Sequence, residues 1–210
     1  MSIELERVTP MEIEKRSFEI IESELPHPLD PALAPIIKRV IHTTADFSFA
    51  DTLCFSHGVL DKALAAIQNG ACIVTDTNMG KAGIHKSALE KHGGQVYCFM
   101  GDEDVAAAAK RNGTTRASAS MDKAATLEGP LIFAVGNAPT ALVRLYELME
   151  AGKLSPALII GVPVGFVNVV QSKELIMTAD APYIVARGRK GGSNVAAAIC
   201  NALLYLLGRE

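Results

Sequence analysis

Residues 130–142 read PLIFAVGNAPTAL. The first seven are a near-continuous apolar run ending at Gly136, and a helix start follows at once, with Pro139 at a position that suits a first helical turn. Leu142, Leu145, Tyr146 and Met149 then recur at helical spacing up to the stop at Gly152. A continuous apolar run, unlike an alternating one, is what a parallel strand covered on both faces requires. The unit repeats. Residues 71–77 (ACIVTDT), 95–100 (QVYCFM), 157–162 (ALIIGV) and 183–187 (YIVAR) are four more runs of the same kind. Between them, Leu60, Ala63, Leu64 and Ile67 form a helical face before Gly70, residues 103–111 are an Ala-rich helix before Asn112-Gly113, and residues 194–207 are a largely apolar final helix.

Strand, helix, strand, repeated, predicts a parallel sheet with right-handed crossovers. The expected fold is α/β, a three-layer α/β/α arrangement around a five-stranded parallel sheet of flavodoxin-like type. Residues 1–58 stand outside the repeat. Residues 11–24 read as a helix, with Thr9 as its cap and Pro10 in its first turn. Pro26-His27-Pro28-Leu29-Asp30-Pro31 is a break, and residues 33–41 are a second short helix. The chain therefore reads as one domain over residues 1–210, a helical extension (1–58) on a parallel α/β core (59–210). Ligands of such sheets bind beyond the carboxyl ends of the strands. The extension is expected to cover that rim or a partner subunit.

Composition narrows the function. Of 210 residues, 49% are hydrophobic and 20% charged, a globular balance. Twenty Lys and Arg against 23 Asp and Glu give a net charge of −3, so a general nucleic-acid binder is disfavoured. Aromatics at 5%, with no Trp, leave little to stack bases on. The longest apolar stretch, residues 195–207, is interrupted by Asn201 and is too short for a membrane span. The N-terminal residues do not read as a signal peptide. Four widely spaced Cys residues (Cys54, Cys72, Cys98, Cys200) read as reduced thiols of a cytoplasmic protein.

The strand ends carry the chemistry. Thr75-Asp76-Thr77-Asn78-Met79-Gly80, Gly136-Asn137-Ala138-Pro139-Thr140, Gly161-Val162-Pro163-Val164-Gly165-Phe166-Val167 and Gly188-Arg189-Lys190-Gly191-Gly192-Ser193 are all rich in Gly, Pro and small polar residues. Any one could be an ordinary turn; four together point to a binding rim. In the last, Arg187, Arg189 and Lys190 precede two glycines that open a helix. Backbone N–H groups, a helix dipole and three cations favour an anion, although a solvated basic turn has the same spelling. Neither a Walker loop nor Gly-x-Gly-x-x-Gly is present. Arg116 follows Thr114-Thr115 in what reads as a loop. Its planar fork suits carboxylate or phosphate. Of five His residues, none has metal-ligand spacing, and His85 and His92 read as lying on one solvated helix. His42 precedes Thr43-Thr44-Ala45-Asp46-Phe47. It reads either as a tuned acid or base or as a satisfied, partly buried side chain.

Several stretches then match a known family. They are Arg16-Ser17-Phe18-Glu19-Ile20-Ile21, Ile41-His42-Thr43-Thr44-Ala45-Asp46-Phe47, Thr75-Asp76-Thr77-Asn78-Met79 and Thr115-Arg116-Ala117, with Gly136-Asn137-Ala138-Pro139-Thr140-Ala141-Leu142, Gly161-Val162-Pro163-Val164-Gly165-Phe166-Val167, Ser172-Lys173 and Gly188-Arg189-Lys190-Gly191-Gly192-Ser193. In series these resemble the precorrin-8X methylmutase family of corrin biosynthesis, including its cobalt-precorrin-8 members, from about residue 10 to residue 205.

The resemblance implies an isomerase that moves a methyl group from carbon 11 to carbon 12 of ring C of a tetrapyrrole. It implies homodimers, with the substrate near the subunit interface, and it makes His42 the acid. It implies substrate contacts from Ser17, Arg39, Thr43, Thr44, Asp46, Asp76, Met79, Thr115, Arg116, Asn137, Pro139, Thr140, Gly165, Lys173, Arg189, Lys190, Gly191, Gly192 and Ser193. The Thr-Thr-Ala-Asp-Phe wording after His42 is similar to the cobalt-handling branch. No cofactor is expected, any cobalt belonging to the substrate, and hand-over with neighbouring corrin-pathway enzymes is expected to be transient. The substrate is a polyanion, so a net-acidic protein must gather its cations locally; Arg39, Arg116 and the Arg187-Arg189-Lys190 turn are candidates. Asp46, if it folds back to the His42 ring, would favour the imidazolium. A corrinoid carrier without turnover is the alternative, and an anion-binding regulatory domain a more distant one.

Overall fold

The central runs become strands because both faces of each must be hidden: Leu131, Ile132, Phe133, Ala134 and Val135 are all 4% exposed or less. The computed structural model describes Thr9 and residues 12–208. Helices α1 (Ile13–Glu24) and α2 (Ala34–Thr44), the short α3 (Phe49–Thr52) and strand β1 (Leu53–Phe55) open the chain. Then come α4 (Val59–Gln68), β2 (Cys72–Thr75), α5 (Asn78–Gly83), α6 (Lys86–Glu90) and β3 (Val96–Tyr97). They are followed by α7 (Glu103–Asn112), α8 (Arg116–Ala124), β4 (Leu131–Val135) and α9 (Pro139–Glu150). Strand β5 (Leu158–Gly161), α10 (Val169–Met177), β6 (Tyr183–Ala186) and α11 (Ser193–Leu206) complete the order.

The strands form one sheet in the order β1-β6-β5-β4-β2-β3. Strands β2 to β6 pair in parallel. The expectation of five strands is corrected to six: β1 pairs antiparallel with β6, Leu53 opposite Ala186 and Phe55 opposite Ile184. Three residues, of which only Leu53 is buried, carry too little apolar pattern to announce a strand. The segment 1–58 is thus not purely helical; it supplies an edge of the sheet.

Alternate strand residues build two cores, as the pleat requires. Ile73, Ile132, Ile160 and Ile184 face α2, α4 and α11, while Val74, Phe133, Val135 and Ile159 face α8, α9 and α10. Helix α2 runs a turn further than the expected 33–41, so His42, Thr43 and Thr44 lie in its last turn. It ends at Ala45, whose backbone is left-handed (φ 52°) and whose N–H donates to Ile41 O. Thr9 does not cap α1 through its side chain; its carbonyl accepts from the Glu12 and Ile13 N–H groups, while Pro10 and Met11 lie outside the described residues. His85 and His92 do not share a helix, because His85 only caps the five-residue α6 and His92 falls in the turn after it. Among the described residues, no helix is long and apolar enough to cross a membrane.

Candidate active site

The carboxyl ends of β2, β4, β5 and β6 open onto the amino ends of α5, α9, α10 and α11, so four helix starts share one edge of the sheet. Asp76 ties two of these ends together. It is 1% exposed, and its carboxylate accepts from the Gly136, Asn137 and Ala138 N–H groups at 2.9, 2.8 and 2.6 Å. Burial raises its pKa, and the three amide donors work against that rise. Both oxygens accept from this turn, so Asp76 holds the β4–α9 connection. Gly136 matters for a steric reason: a Cβ there would lie 2.6 Å from Ser193 Cα, so only Gly lets the start of α11 sit against the β4 end. Thr77 Oγ1 and Ser193 Oγ then share a hydrogen bond of 2.7 Å.

Arg116 is the first residue of α8 rather than part of a loop, with Thr115 capping the helix by accepting from Ser118 N–H. Thr115 Oγ1 also hydrogen-bonds Thr140 Oγ1 at 2.9 Å, which brings the α8 start beside that of α9 and Pro139. Arg116 is exposed, and no hydrogen bond or ion pair to it exists among the described residues. Arg189 lies over the Phe166 ring at 5.4 Å and carries no carboxylate partner among the described residues. Lys190 is different: its Nζ is 2.6 Å from Asp46 Oδ2 and 2.9 Å from Ser48 Oγ. The Lys190 hydrogen bond, aided by Ser48, holds the Asp46 carboxyl below its ordinary range.

The condition set for Asp46, that it fold back to the His42 ring, is not met by its hydrogen bonds, which go to Lys190 and Ser48. Asp46 points to the basic turn and so straps the N-terminal segment to the rim. Lys173 is also not on the rim surface. It is 0% exposed, beneath the turn, with Nζ 2.8 Å from Gly188 O and from Lys190 O. Gly165 N–H donates to Arg189 O, Gly192 N–H donates to Val162 O, and a Cβ on Gly191 would meet Val162 O at 2.1 Å. Gly165 and Gly192, at φ 146° and 135°, hold conformations that favour glycine.

His42 is exposed, and its ring stacks on Phe18 at 5.4 Å. It stands between two clefts. One of about 340 Å³ is lined by Ser17, Ile20, Ile41 and Phe47. The other, of about 300 Å³, is lined by Arg39, Thr43, Gly83, Asn194 and Tyr205. Asn194, one residue into α11, belongs to the rim, so the second cleft leads from His42 to the strand ends. The Thr43 and Thr44 hydroxyls donate back to Arg39 O and Val40 O, and Ser17 to Ile13 O. Arg39 pairs with Glu14 and lies over the Phe18 and Tyr205 rings, so its charge is shared within the chain. A further cleft of about 820 Å³ between α1 and α2 does not include His42 in its lining.

The residues that sequence reasoning missed are apolar. Phe166 and Val167, in the β5–α10 turn beside Val164, are 80% and 79% exposed; Met79, already among the expected contacts, is exposed at the start of α5. The signal was present: large apolar residues in a Gly- and Pro-bounded turn, where no core is available to hide them. Among the described residues, no group of three or more His, Cys, Asp and Glu side chains could hold a metal ion.

The rim thus carries exposed apolar side chains beside the Arg189 guanidinium, and similarity to known proteins adds the family. A family model described as precorrin-8X methylmutase matches residues 12–206. The cobalt-precorrin-8 methylmutase of Priestia megaterium is 44% identical over 200 residues, covering 95% of this chain and 89% of that one. That of Salmonella typhimurium is 44% identical over 205 residues, covering 94% and 96%. The precorrin-8X methylmutase structure from Thermus thermophilus superposes with a TM-score of 0.84 at 39% identity, covering 93% and 96%. With its family model spanning nearly the whole chain and relatives matching at this level, the chain belongs to the precorrin-8X methylmutase family.

Proposed function

We propose that this chain is an isomerase of cobalamin biosynthesis that shifts a methyl group from carbon 11 to carbon 12 of ring C of cobalt-precorrin-8, giving cobalt-cobyrinic acid. The observation that carries the proposal is the juxtaposition, at the carboxyl ends of the strands, of Arg116 and Arg189, neither with a carboxylate partner among the described residues, with the exposed apolar residues around Phe166, next to a cleft lined by His42. The cations receive the carboxylates at the substrate edge. The apolar residues face its ring body. The names of the two 44% relatives favour the cobalt-containing substrate over the metal-free one.

The shift itself requires an electron-poor conjugated system. A proton delivered to the ring supplies that, and His42 delivers it. Stacking on Phe18 fixes the imidazole plane while its edge remains open to the clefts. No cofactor of the protein's own enters the scheme, and the cobalt arrives within the substrate. The chain works as a homodimer in the cytoplasm, with transient hand-over between neighbouring pathway enzymes. The exposed Ile13 and Ile20 of α1 support a second copy closing the open His42 side. The strand order β3-β2-β4-β5-β6 supports a flavodoxin-like reading of the parallel part of the sheet.

The test is to mix the purified chain with cobalt-precorrin-8 and follow the absorption spectrum. Turnover changes the conjugated chromophore. Tight binding with an unchanged spectrum would make the protein a carrier and overturn the proposal.

A further inference from the structure

Lys173 is a buried ammonium with no carboxylate partner, and burial alone lowers its pKa to about 8. A methionine would fill the same space without that cost, since a charge removed from water without a counter-charge destabilises the fold. Its only hydrogen-bond partners among the described residues are the carbonyls of Gly188 and Lys190. Among the described residues there is no cis peptide bond, so in each peptide unit C=O and N–H point in opposite directions. Gly188 C=O shares its unit with Arg189 N–H, and Lys190 C=O shares its unit with Gly191 N–H. Because both carbonyls point inward to Nζ, both N–H groups point away from the core. Neither donates to any group among the described residues. Between them, the Arg189 carbonyl accepts from Gly165 N–H, so the turn is held from a second side.

We infer that Lys173 is a positioning residue: by drawing the Gly188 and Lys190 carbonyls inward it turns the Arg189 and Gly191 N–H groups outward, where together they take one carboxylate of the substrate. The inference rests on the proposed function for the identity of the anion. Lys173 lies beneath the turn and touches no ligand itself. The Arg189 guanidinium, lying over Phe166, stands on the outer side of the same turn and adds charge to the two donors.

Two full-length variants test this. Lys173→Met removes both donors at similar volume. Lys173→Gln restores N–H donors that can reach one or both carbonyls without the charge. KM for cobalt-precorrin-8 and Kd for cobyrinic acid are expected to rise about tenfold or more in Lys173→Met, with kcat within about threefold of wild type. Lys173→Gln is expected to recover part of the lost affinity. Separately, the ¹⁵N-amide signals of Arg189 and Gly191 are expected to shift when cobyrinic acid is added to wild type and to stay still in Lys173→Met. An unchanged KM in Lys173→Met, a fall in kcat at constant KM, or amide shifts equal in the two proteins would overturn the positioning role. A wild type that binds cobyrinic acid through these amides yet turns nothing over would overturn the proposed activity and leave the positioning role standing.

Discussion

The rim and the α1–α2 pair are built on opposite principles. At the rim, buried polar groups with fixed partners do the holding: Asp76 joins the β2 and β4 ends, Lys173 joins α10 to the β6–α11 turn, and Gly192 N–H joins that turn to the β5 end. In the α1–α2 pair the polar contacts are partly or largely exposed, Lys38 with Glu22, Arg39 with Glu14 and Arg16 with Glu19. Contacts of that kind contribute at most about 1 kcal/mol each. What fixes α2 is apolar: Ile36, Ile37, Val40 and Ile41 share a core with α11. The rim is therefore set before a ligand arrives. The His42 side is set in backbone but open in its side chains. The proposed function assigns affinity to the first region and proton delivery to the second, with Lys190–Asp46 as the strap between them.

That division can be broken experimentally. His42→Ala is expected to keep fold and tetrapyrrole affinity while turnover falls by about 10²–10⁴, the usual contribution of a positioned general acid. Single-turnover absorption spectroscopy measures it, and His42→Asn, which can donate a hydrogen bond but no useful proton, should match. A parallel loss of affinity would merge the two regions into one. Asp76→Ala leaves the buried Gly136 N–H without an acceptor, at about 1–3 kcal/mol, and removes the acceptor of the partly buried Asn137 and Ala138 N–H groups, which water can partly replace. An unfolding free energy lower by about 1–3 kcal/mol is expected from urea titration, with weaker ligand binding alongside.

Arg116→Ala sharpens the comparison from the rim side. Binding should weaken roughly tenfold to a hundredfold at nearly constant kcat, the cost of one charge-assisted contact. Arg116→Lys should recover only part of it, because ammonium cannot reproduce a bidentate fork. The smallest effect belongs to the strap. Asp46→Asn should lower stability by about 0.2–1 kcal/mol at neutral pH. The Asp46 carboxyl titrates below its ordinary range in the folded protein, so its contribution is complete at neutral pH and disappears as pH falls through that lowered value. The wild-type advantage over Asp46→Asn should therefore vanish in strong acid, as paired urea titrations at pH 7 and pH 2 would reveal.

The legible parts of the fold were those with a redundant signal. The runs around Ile73, Phe133, Ile159 and Ile184 are continuous because two layers of helix cover them, and α9 shows both its Pro start and its apolar stripe. Strand β1 was hidden because its place depends on β6, far along the chain, and not on its own three residues. The helix start at Arg116 was hidden because α8 is built on Ala and Ser, small residues that pack closely without an obvious apolar period. At the site, residue types were readable and directions were not. Asp76 was recognised in a strand-end turn, Asp46 as a polar neighbour of His42, and Lys173 only through the resemblance. That Asp76 and Lys173 face inward and Asp46 faces Lys190 follows from backbone geometry, which spacing does not encode.

The antiparallel edge has a consequence for how the molecule comes into being. Among the described residues strand β1 finds its only neighbour in β6, and α2 lies against α11, the two elements farthest from them along the described chain. Such distant pairings form late, because the whole intervening chain must first be gathered. During synthesis the inner strands can begin to assemble while the segment bearing His42 waits with its apolar face uncovered. A chain stalled before residue 183 lacks both the strand and the helix that this segment leans on. The segment that bears His42 is thus among the last to take its place, and a seated His42 reports that β6 and α11 have already formed.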